Sequence, residues 1–131
     1  MTIALTLIEH PGTLAVVRLD PADGWPSWLP PTGFLCVVRA EREVSIVVDA
    51  GVVPAGLKAE AGWLRFEFQG PFAFEATGIL ASVAVPLAAA GVGIFALSTF
   101  DTDHVLIKAE HRAAALAALE AAGHHVVPSP A

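Results

Sequence analysis

Two aspartates late in the chain, Asp101 and Asp103, stand on either side of a threonine in a predicted turn. Aspartates in turns commonly accept hydrogen bonds from their own backbone, and the alternative is that they bind a positively charged ligand. A helix predicted to begin with Thr77 as its N-cap adds unpaired backbone N–H groups, and Gly78 lets an anion approach them closely. The two features together suit the ammonium and carboxylate groups of a free amino acid.

Motifs for catalysis or metal binding do not accompany these aspartates. The sequence has no nucleophile with a suitably spaced base, no Gly-x-Ser-x-Gly and no phosphate-binding loop, so we predict a protein that is not an enzyme and uses no cofactor. His104 follows Asp103 directly, but neighbouring residues of a strand point to opposite faces. His124 and His125 are adjacent rather than four residues apart, and we therefore predict no metal site.

Composition narrows the possible partners and the compartment. The chain has 131 residues and a formal net charge of −6, which leaves no basic face for the phosphates of nucleic acid. Its single cysteine, Cys36, cannot form an intrachain disulfide, and this fits a reducing, cytoplasmic location. Residues 1–10 lack the basic start and the cleavage site of a signal peptide, so we expect none.

One uncharged stretch, residues 76–100, is long enough to cross a bilayer as a helix. Pro86, Gly91 and Gly93 interrupt this stretch, and its end from Ile94 onward favours a strand. We therefore predict a helix, a turn and a strand here, and no membrane partner.

The second half of the chain shows the clearest secondary-structure pattern. Leu64, Phe66 and Phe68 alternate with polar residues, which predicts a strand with one buried face. The order β-α-β-β-α-β that follows is that of the ferredoxin-like fold, in the α+β class. The predicted elements are a strand over 63–69, a helix from 77, strands over 94–100 and 104–108, a helix over 110–122 and a strand over 124–127.

The first half is rich in strands and poor in helix. Three apolar runs between residues 14 and 48 predict strands, and the Pro- and Trp-containing loop 21–31 has room for at most one helical turn. We interpret this half as a degenerate copy of the same unit, so that two ferredoxin-like units stand in tandem. The predicted divisions are a degenerate half over 1–61, a second unit over 62–128 and a tail over 129–131.

A resemblance to a known family is carried by three ordered segments: GILAS at 78–82, PLAAAGV at 86–92 and IFALSTFDTD at 94–103. They resemble the CASTOR-type family of ACT-domain proteins, and the likeness extends over the whole chain. The resemblance implies tandem ACT units that bind an amino acid where two such domains meet. Animal members are cytosolic arginine sensors with twice as many ACT units per chain, so this chain is expected to form a homodimer.

The same resemblance points to particular ligand-binding residues. The family's ligand-facing strand and turn correspond to residues 98–103, and Asp103 is expected to contribute most. Ala73, Phe74 and Ala76 replace loop positions that are expected to be more polar in the arginine sensors, which argues against arginine as the ligand. With the start of the predicted helix included, the expected ligand-binding residues are Thr77, Gly78, Ile79, Ser98, Thr99, Phe100, Asp101 and Asp103.

A second hypothesis remains open from the sequence. The chain could be a structural or protein-interaction domain with an empty pocket, which dimerises or docks on a regulated partner enzyme. The apolar loop Phe72-Ala73-Phe74 favours this alternative, because it could fill the pocket or contact the partner.

Overall fold

The computed structural model describes residues 2–130, which divide into two compact units. We call residues 12–63 the strand unit, and residues 2–11 together with 64–130 the helical unit. The sequence pattern groups residues 1–11 with the first half of the chain, whereas in the structure residues 2–11 pack with the second half.

Strands dominate the described part of the chain, and two α-helices and three single 3₁₀ turns complete it. The 3₁₀ turns lie at Pro21–Asp23, Ala50–Val52 and Ala109–His111. The other elements are β1 (Thr6–Glu9), β2 (Leu14–Leu19), β3 (Leu35–Arg39), β4 (Val44–Asp49), β5 (Lys58–Phe68), α1 (Ile79–Ala89), β6 (Phe95–Ser98), β7 (Asp103–Lys108), α2 (Arg112–Ala121) and β8 (His125–Pro128).

The strand unit is an antiparallel sheet in the order β3-β4-β2-β5. Its core is formed by Val17, Ile46 and neighbouring small apolar residues, because alternate residues of each strand point to one face. Loop residues such as Trp28 and Leu57 pack against this core. Two of the 3₁₀ turns stand where a ferredoxin-like unit carries its helices, and the strand order is otherwise the ferredoxin-like one.

The helical unit contains the predicted β-α-β-β-α-β sequence of elements, from β5 to β8, and this prediction is confirmed. Its sheet has the order β6-β7-β5-β1-β8, and both helices pack against one face of it. Phe66 and Phe68 are fully buried there, as their alternation with polar residues predicts. The buried core residues are Leu5, Leu7, Phe66, Phe68, Val83, Leu87, Val92, Val105, Ile107, Ala115 and Leu119.

Strand β1 is an addition to the ferredoxin-like order that the sequence did not predict. It lies between β5 and β8, antiparallel to the first and parallel to the second. Leu7 is the central residue of this insertion, since it is opposite Phe68 on one side and Val126 on the other and is fully buried. Strand β1 therefore joins β5 to β8 within the sheet of the helical unit.

Helix α1 begins one residue later than predicted. Its N-cap is Gly78, in the left-handed conformation with φ of 82°, and not Thr77. No side chain accepts a hydrogen bond from the first turn, so the predicted capping role of Thr77 is wrong. The positive φ is the physical reason, because only glycine adopts this backbone conformation without strain.

A buried histidine contacts a backbone carbonyl of α1 that the helix itself leaves without a donor. Pro86 lacks the N–H that would donate to the Ser82 carbonyl one helical turn earlier. His124, which is 4% exposed, replaces it, since its Nε2 lies 2.7 Å from the Ser82 oxygen. The Leu5 N–H donates to His124 Nδ1 at 3.1 Å, so the proton of the neutral ring is on Nε2.

Neither α1 nor α2, the two α-helices within residues 2–130, is long and apolar enough to cross a bilayer.

Candidate functional site

A cavity of about 290 Å³ lies in the helical unit, where the loop before α1 meets the turn between β6 and β7. One side of it is apolar and the other carries two carboxylates. Its lining residues are Phe72, Ala73, Phe74, Ala76, Ile79, Ser98, Thr99, Phe100, Asp101, Thr102 and Asp103.

The β6–β7 turn is held by its own hydrogen bonds. Ser98 and Asp103 form the last opposed pair of the two antiparallel strands. The Thr99 N–H donates to the Thr102 carbonyl at 2.8 Å, and the Thr99 hydroxyl donates to the same oxygen at 3.1 Å. The turn therefore presents its aspartates from a defined backbone.

The loop that follows β5 is fixed against this turn. The Phe72 N–H donates to the Asp101 carbonyl at 2.8 Å, and the Thr102 hydroxyl donates to the Phe68 carbonyl at 2.5 Å. Gly70 is needed at this approach, because a Cβ added there would lie 3.0 Å from the Asp101 carbonyl oxygen. Two hydrogen bonds thus join the segment that follows β5 to the β6–β7 turn.

Acceptor groups dominate the polar part of the cavity. The Ser98 hydroxyl donates to Asp103 Oδ1 at 2.6 Å, and the hydroxyls of Thr99 and Thr102 donate to backbone oxygens. Asp101 and Asp103 belong to a lining that contains no Lys, Arg or His. Such a lining suits a ligand that brings its own hydrogen-bond donors and positive charge.

Two aromatic rings stand at the rim of the cavity. Phe74 is 75% exposed and Phe100 is 79% exposed. Their centroids are 4.8 Å apart and their planes cross at 80°, which is the favoured edge-to-face geometry. Large exposed apolar groups at a cavity mouth are characteristic of surfaces that contact a ligand or a partner.

Six of the eight sequence-predicted ligand residues line this cavity, namely Ile79, Ser98, Thr99, Phe100, Asp101 and Asp103. Thr77 and Gly78 do not line it. Sequence reasoning did not include Phe72, Ala73, Phe74, Ala76 and Thr102 among the ligand-binding residues. It used Ala73, Phe74 and Ala76 to argue against arginine, and the loop 72–74 to favour a docking domain. Whether the six residues bind a ligand remains a prediction.

A second, smaller cavity of about 220 Å³ shares part of its wall with the first. Asp101 and Thr102 belong to both linings. The remaining lining residues are Ile8, Glu67, Gln69, Gly70 and Pro71.

A polar cluster lies on the face of the sheet opposite the helices. The Arg65 Nη1 is 3.3 Å from His104 Nδ1 and 3.8 Å from Glu67 Oε1, and His10 Nε2 is 2.8 Å from the same Glu67 oxygen. Burial, with the adjacent Arg65 charge, lowers the pKa of His104. Burial also lowers the pKa of Arg65, against the opposing effect of Glu67.

The described residues contain no cluster of three or more His, Cys, Asp or Glu side chains that could hold a metal ion.

Comparisons with known proteins identify a domain in the second half of the chain. The ACT domain family profile matches residues 58–121. These residues form an ACT domain. A crystal structure of a protein from Agobacterium tumefaciens is 35% identical, and its superposition covers 99% of this chain and 97% of that one with a TM-score of 0.92.

ACT relatives with a named role are more distant or longer. The human "Cytosolic arginine sensor for mTORC1 subunit 1" is 32% identical over 115 residues, which cover 80% of this chain and 34% of the human protein. The chain thus spans about a third of the length of the curated relatives that it matches. The regulatory subunit of aspartate kinase from Thermus flavus shares the ACT fold, with 12% identity, a TM-score of 0.61 and coverage of 92% and 99%.

Proposed function

We propose that this chain is a non-catalytic regulatory protein that binds a free amino acid in the cavity between the α1 loop and the β6–β7 turn. The observation that carries the proposal is the pair of carboxylates, Asp101 and Asp103, on a fixed turn at a cavity without cationic side chains. The ACT domain at residues 58–121 supports it, and so does the name of the arginine-sensing relatives. These relatives are named as cytosolic, which supports a cytoplasmic location for this chain.

The two charged groups of an amino acid have separate partners in this proposal. Asp103 accepts from the ammonium group, and its second oxygen is held by Ser98 at 2.6 Å. The ligand carboxylate lies towards the start of α1, where the N–H groups of the first turn have no helical partners and Ile79 lines the cavity. Asp101 is then left for the side chain of the ligand.

A basic side chain fits this arrangement best. An acidic side chain would meet Asp101 without any Lys, Arg or His in the lining. An aliphatic stem would lie against Phe72, Ala73 and Ala76. Ala73 and Ala76 are two of the three positions that argued against arginine in the sequence. In the structure these residues form the apolar wall rather than the charge-binding one, so we propose a ligand with an apolar stem and a cationic end.

The experiment is a titration by calorimetry and thermal shift with L-arginine and L-lysine, and with L-glutamine and L-glutamate as matched comparisons. At about a hundred times its dissociation constant, a true ligand stabilises the fold by roughly 2.7 kcal/mol. Asp103→Asn keeps the side-chain size and should weaken binding about ten- to hundredfold, since a hydrogen bond to a charged group contributes about 1.5–3 kcal/mol.

The matched control is Glu75→Gln. Glu75 is an exposed carboxylate on the same loop that does not line the cavity, so its neutralisation should leave the affinity unchanged. Equal affinity of wild type and Asp103→Asn would contradict the site assignment. No shift with any of the amino acids would contradict the ligand class.

We also propose that the strand unit is a degenerate ACT unit, with the division near residue 62, and that two copies of the chain form a homodimer with the ligand at a domain interface. The resemblance to the arginine sensors supports the proposal, because the ligand is expected there where two ACT units meet, and a second copy of the chain would supply further units. Light scattering with size-exclusion chromatography measures the mass directly. A monomer at high concentration, with or without ligand, would contradict it.

The second candidate function is a docking domain for a regulated protein partner, and it is favoured by the exposed Phe74–Phe100 pair. Under this alternative the rings contact the partner and no amino acid enters the cavity. A partner whose binding ignores every amino acid and is lost with Phe74→Ala would favour the alternative over the sensor.

A further inference from the structure

His104 lies directly behind the proposed ligand site. It follows Asp103 in β7, and successive side chains of a strand point to opposite faces. Asp103 therefore faces the cavity and His104 faces the helix-free side of the sheet, where it is only 6% exposed. The pairs Ser98–Asp103 and Leu97–His104 are consecutive between β6 and β7. The same stretch of strand pairing therefore fixes the backbone of both Asp103 and His104.

The charged surroundings of His104 come from three parts of the helical unit. Arg65 and Glu67 face it from β5, His10 from the residue after β1, and Asp103 is its neighbour in β7. Leu97 of β6 is its apolar cross-strand partner. Arg65 Nη1 lies 3.3 Å from His104 Nδ1.

The contact with Arg65 requires a neutral histidine. A guanidinium only donates hydrogen bonds, so His104 Nδ1 must accept with its lone pair. A protonated ring has no lone pair to offer and places a second positive charge beside Arg65, whose side chain is 15% exposed. Protonation therefore removes this hydrogen bond and makes the two side chains repel each other.

We propose that His104 is a proton-sensitive positioning residue, which holds Asp103 in its ligand-binding position when neutral and releases it when protonated. The binding part of this inference rests on the proposed amino-acid site. The protein then loses ligand on acidification. The ring itself never touches the ligand.

The sign of the pH effect follows from the contacts. Burial and Arg65 lower the pKa of His104 in the folded protein. The contribution of the neutral His104 ring to the free energy of unfolding is then complete above the pKa of the unfolded state, about 6.5. It is lost as the pH falls from there through the folded-state pKa. Ligand binding that needs the neutral ring weakens about twofold at the folded-state midpoint and about elevenfold one pH unit below it.

The first measurement is an NMR titration of the His104 ring in the wild-type protein, with His104→Gln used to assign its signal. We expect a midpoint below the ordinary value of a histidine in a reference peptide. A midpoint at or above that value overturns the proposal. This test uses the unmodified chain, so it stands even where the glutamine variant folds poorly.

The second measurement compares urea midpoints at pH 7.5 and pH 5.5. His104→Gln keeps an acceptor for Arg65 but cannot be protonated, so the fall in its urea midpoint on acidification should be smaller than that of the wild type. His111→Gln, at an exposed position before α2, is the control and should keep the wild-type fall. Equal falls in all three proteins overturn the proposal.

The third measurement is calorimetric titration with L-arginine and L-lysine over the same pH range. The dissociation constant of the wild type should rise on acidification with the midpoint found by NMR, and that of His104→Gln should rise less. A pH-independent dissociation constant in the wild type overturns the positioning role. Failure of both probes to bind at any pH overturns the proposed function instead, and the NMR and urea measurements then still decide how His104 titrates.

Discussion

The buried histidine beside the proline of α1 gives the sharpest test of the packing. His124 satisfies two backbone groups at once, the Ser82 carbonyl freed by Pro86 and the Leu5 N–H before β1. Replacing it by leucine fills the space but leaves both groups buried without partners. Each such group costs about 1–3 kcal/mol, so His124→Leu should destabilise the protein by about 2–6 kcal/mol.

Pro86→Ala separates the two contributions. It restores an N–H that can donate to the Ser82 carbonyl within the helix, so only the Leu5 N–H is orphaned when His124 is then replaced. The cost of His124→Leu should therefore be smaller in the Pro86→Ala background, by about 1–3 kcal/mol. The intrinsic helix gain from removing the proline is the same in both arms of the cycle and cancels.

The assay is urea unfolding of the four proteins, followed by circular dichroism and tryptophan fluorescence. His125→Leu is the control, because its ring is exposed and its substitution should change the free energy of unfolding by no more than about 0.5 kcal/mol. Additive effects of the two substitutions, within about 0.5 kcal/mol, would refute the argument that the histidine substitutes for the missing helical hydrogen bond.

Four further predictions follow from particular contacts. Phe66→Ala should cost about 3–5 kcal/mol in urea unfolding, because Phe66 is fully buried, whereas a cost under 1 kcal/mol would mean that the core collapses around the gap. Gly78→Ala should destabilise by about 1–2 kcal/mol because of its positive φ, and an unchanged urea midpoint would contradict that conformation. Gly70→Ala should lower ligand affinity in calorimetry, since its Cβ would press on the Asp101 carbonyl; unchanged affinity would show that the loop adapts. Burial raises the pKa of the Cys36 thiol, so it should react with a disulfide reagent more slowly in the folded protein than in urea, and equal rates would contradict the burial.

The helical unit was predictable because its signals are local. The alternation of Leu64, Phe66 and Phe68 with polar residues depends on residues within one strand. Phe66 and Phe68 are fully buried in the structure, as this pattern predicts.

Features that depend on distant partners were not predictable in the same way. Strand β1 has only four residues, and it is recognisable as a strand only once Phe68 and Val126 are seen on either side of Leu7. The sequence does show that Pro86 frees a helical carbonyl. It does not show that a histidine 38 residues later would occupy that carbonyl, because the contact is set by tertiary packing.

The candidate site also has one part that the sequence predicts and one part that depends on distant contacts. The β6–β7 turn is a continuous segment, and its residues could be assigned from their order. The facing wall from Phe72 to Ala76 has no repeating pattern, and its position follows from one long-range hydrogen bond, between the Phe72 N–H and the Asp101 carbonyl. His104 was considered only as a metal ligand, since its proximity to Arg65 arises from pairing of β7 with β5.

The position of β1 between β5 and β8 has a consequence for the order of events during synthesis. The ribosome releases Leu7 long before Phe68, and Val126 later still, yet the three residues lie side by side in the finished sheet. Contacts between such distant parts of a chain form slowly because a long loop must close first. The apolar segment around Leu7 must therefore wait for both of its partner strands to be released, and chaperones that bind emerging chains have a long opportunity at this strand.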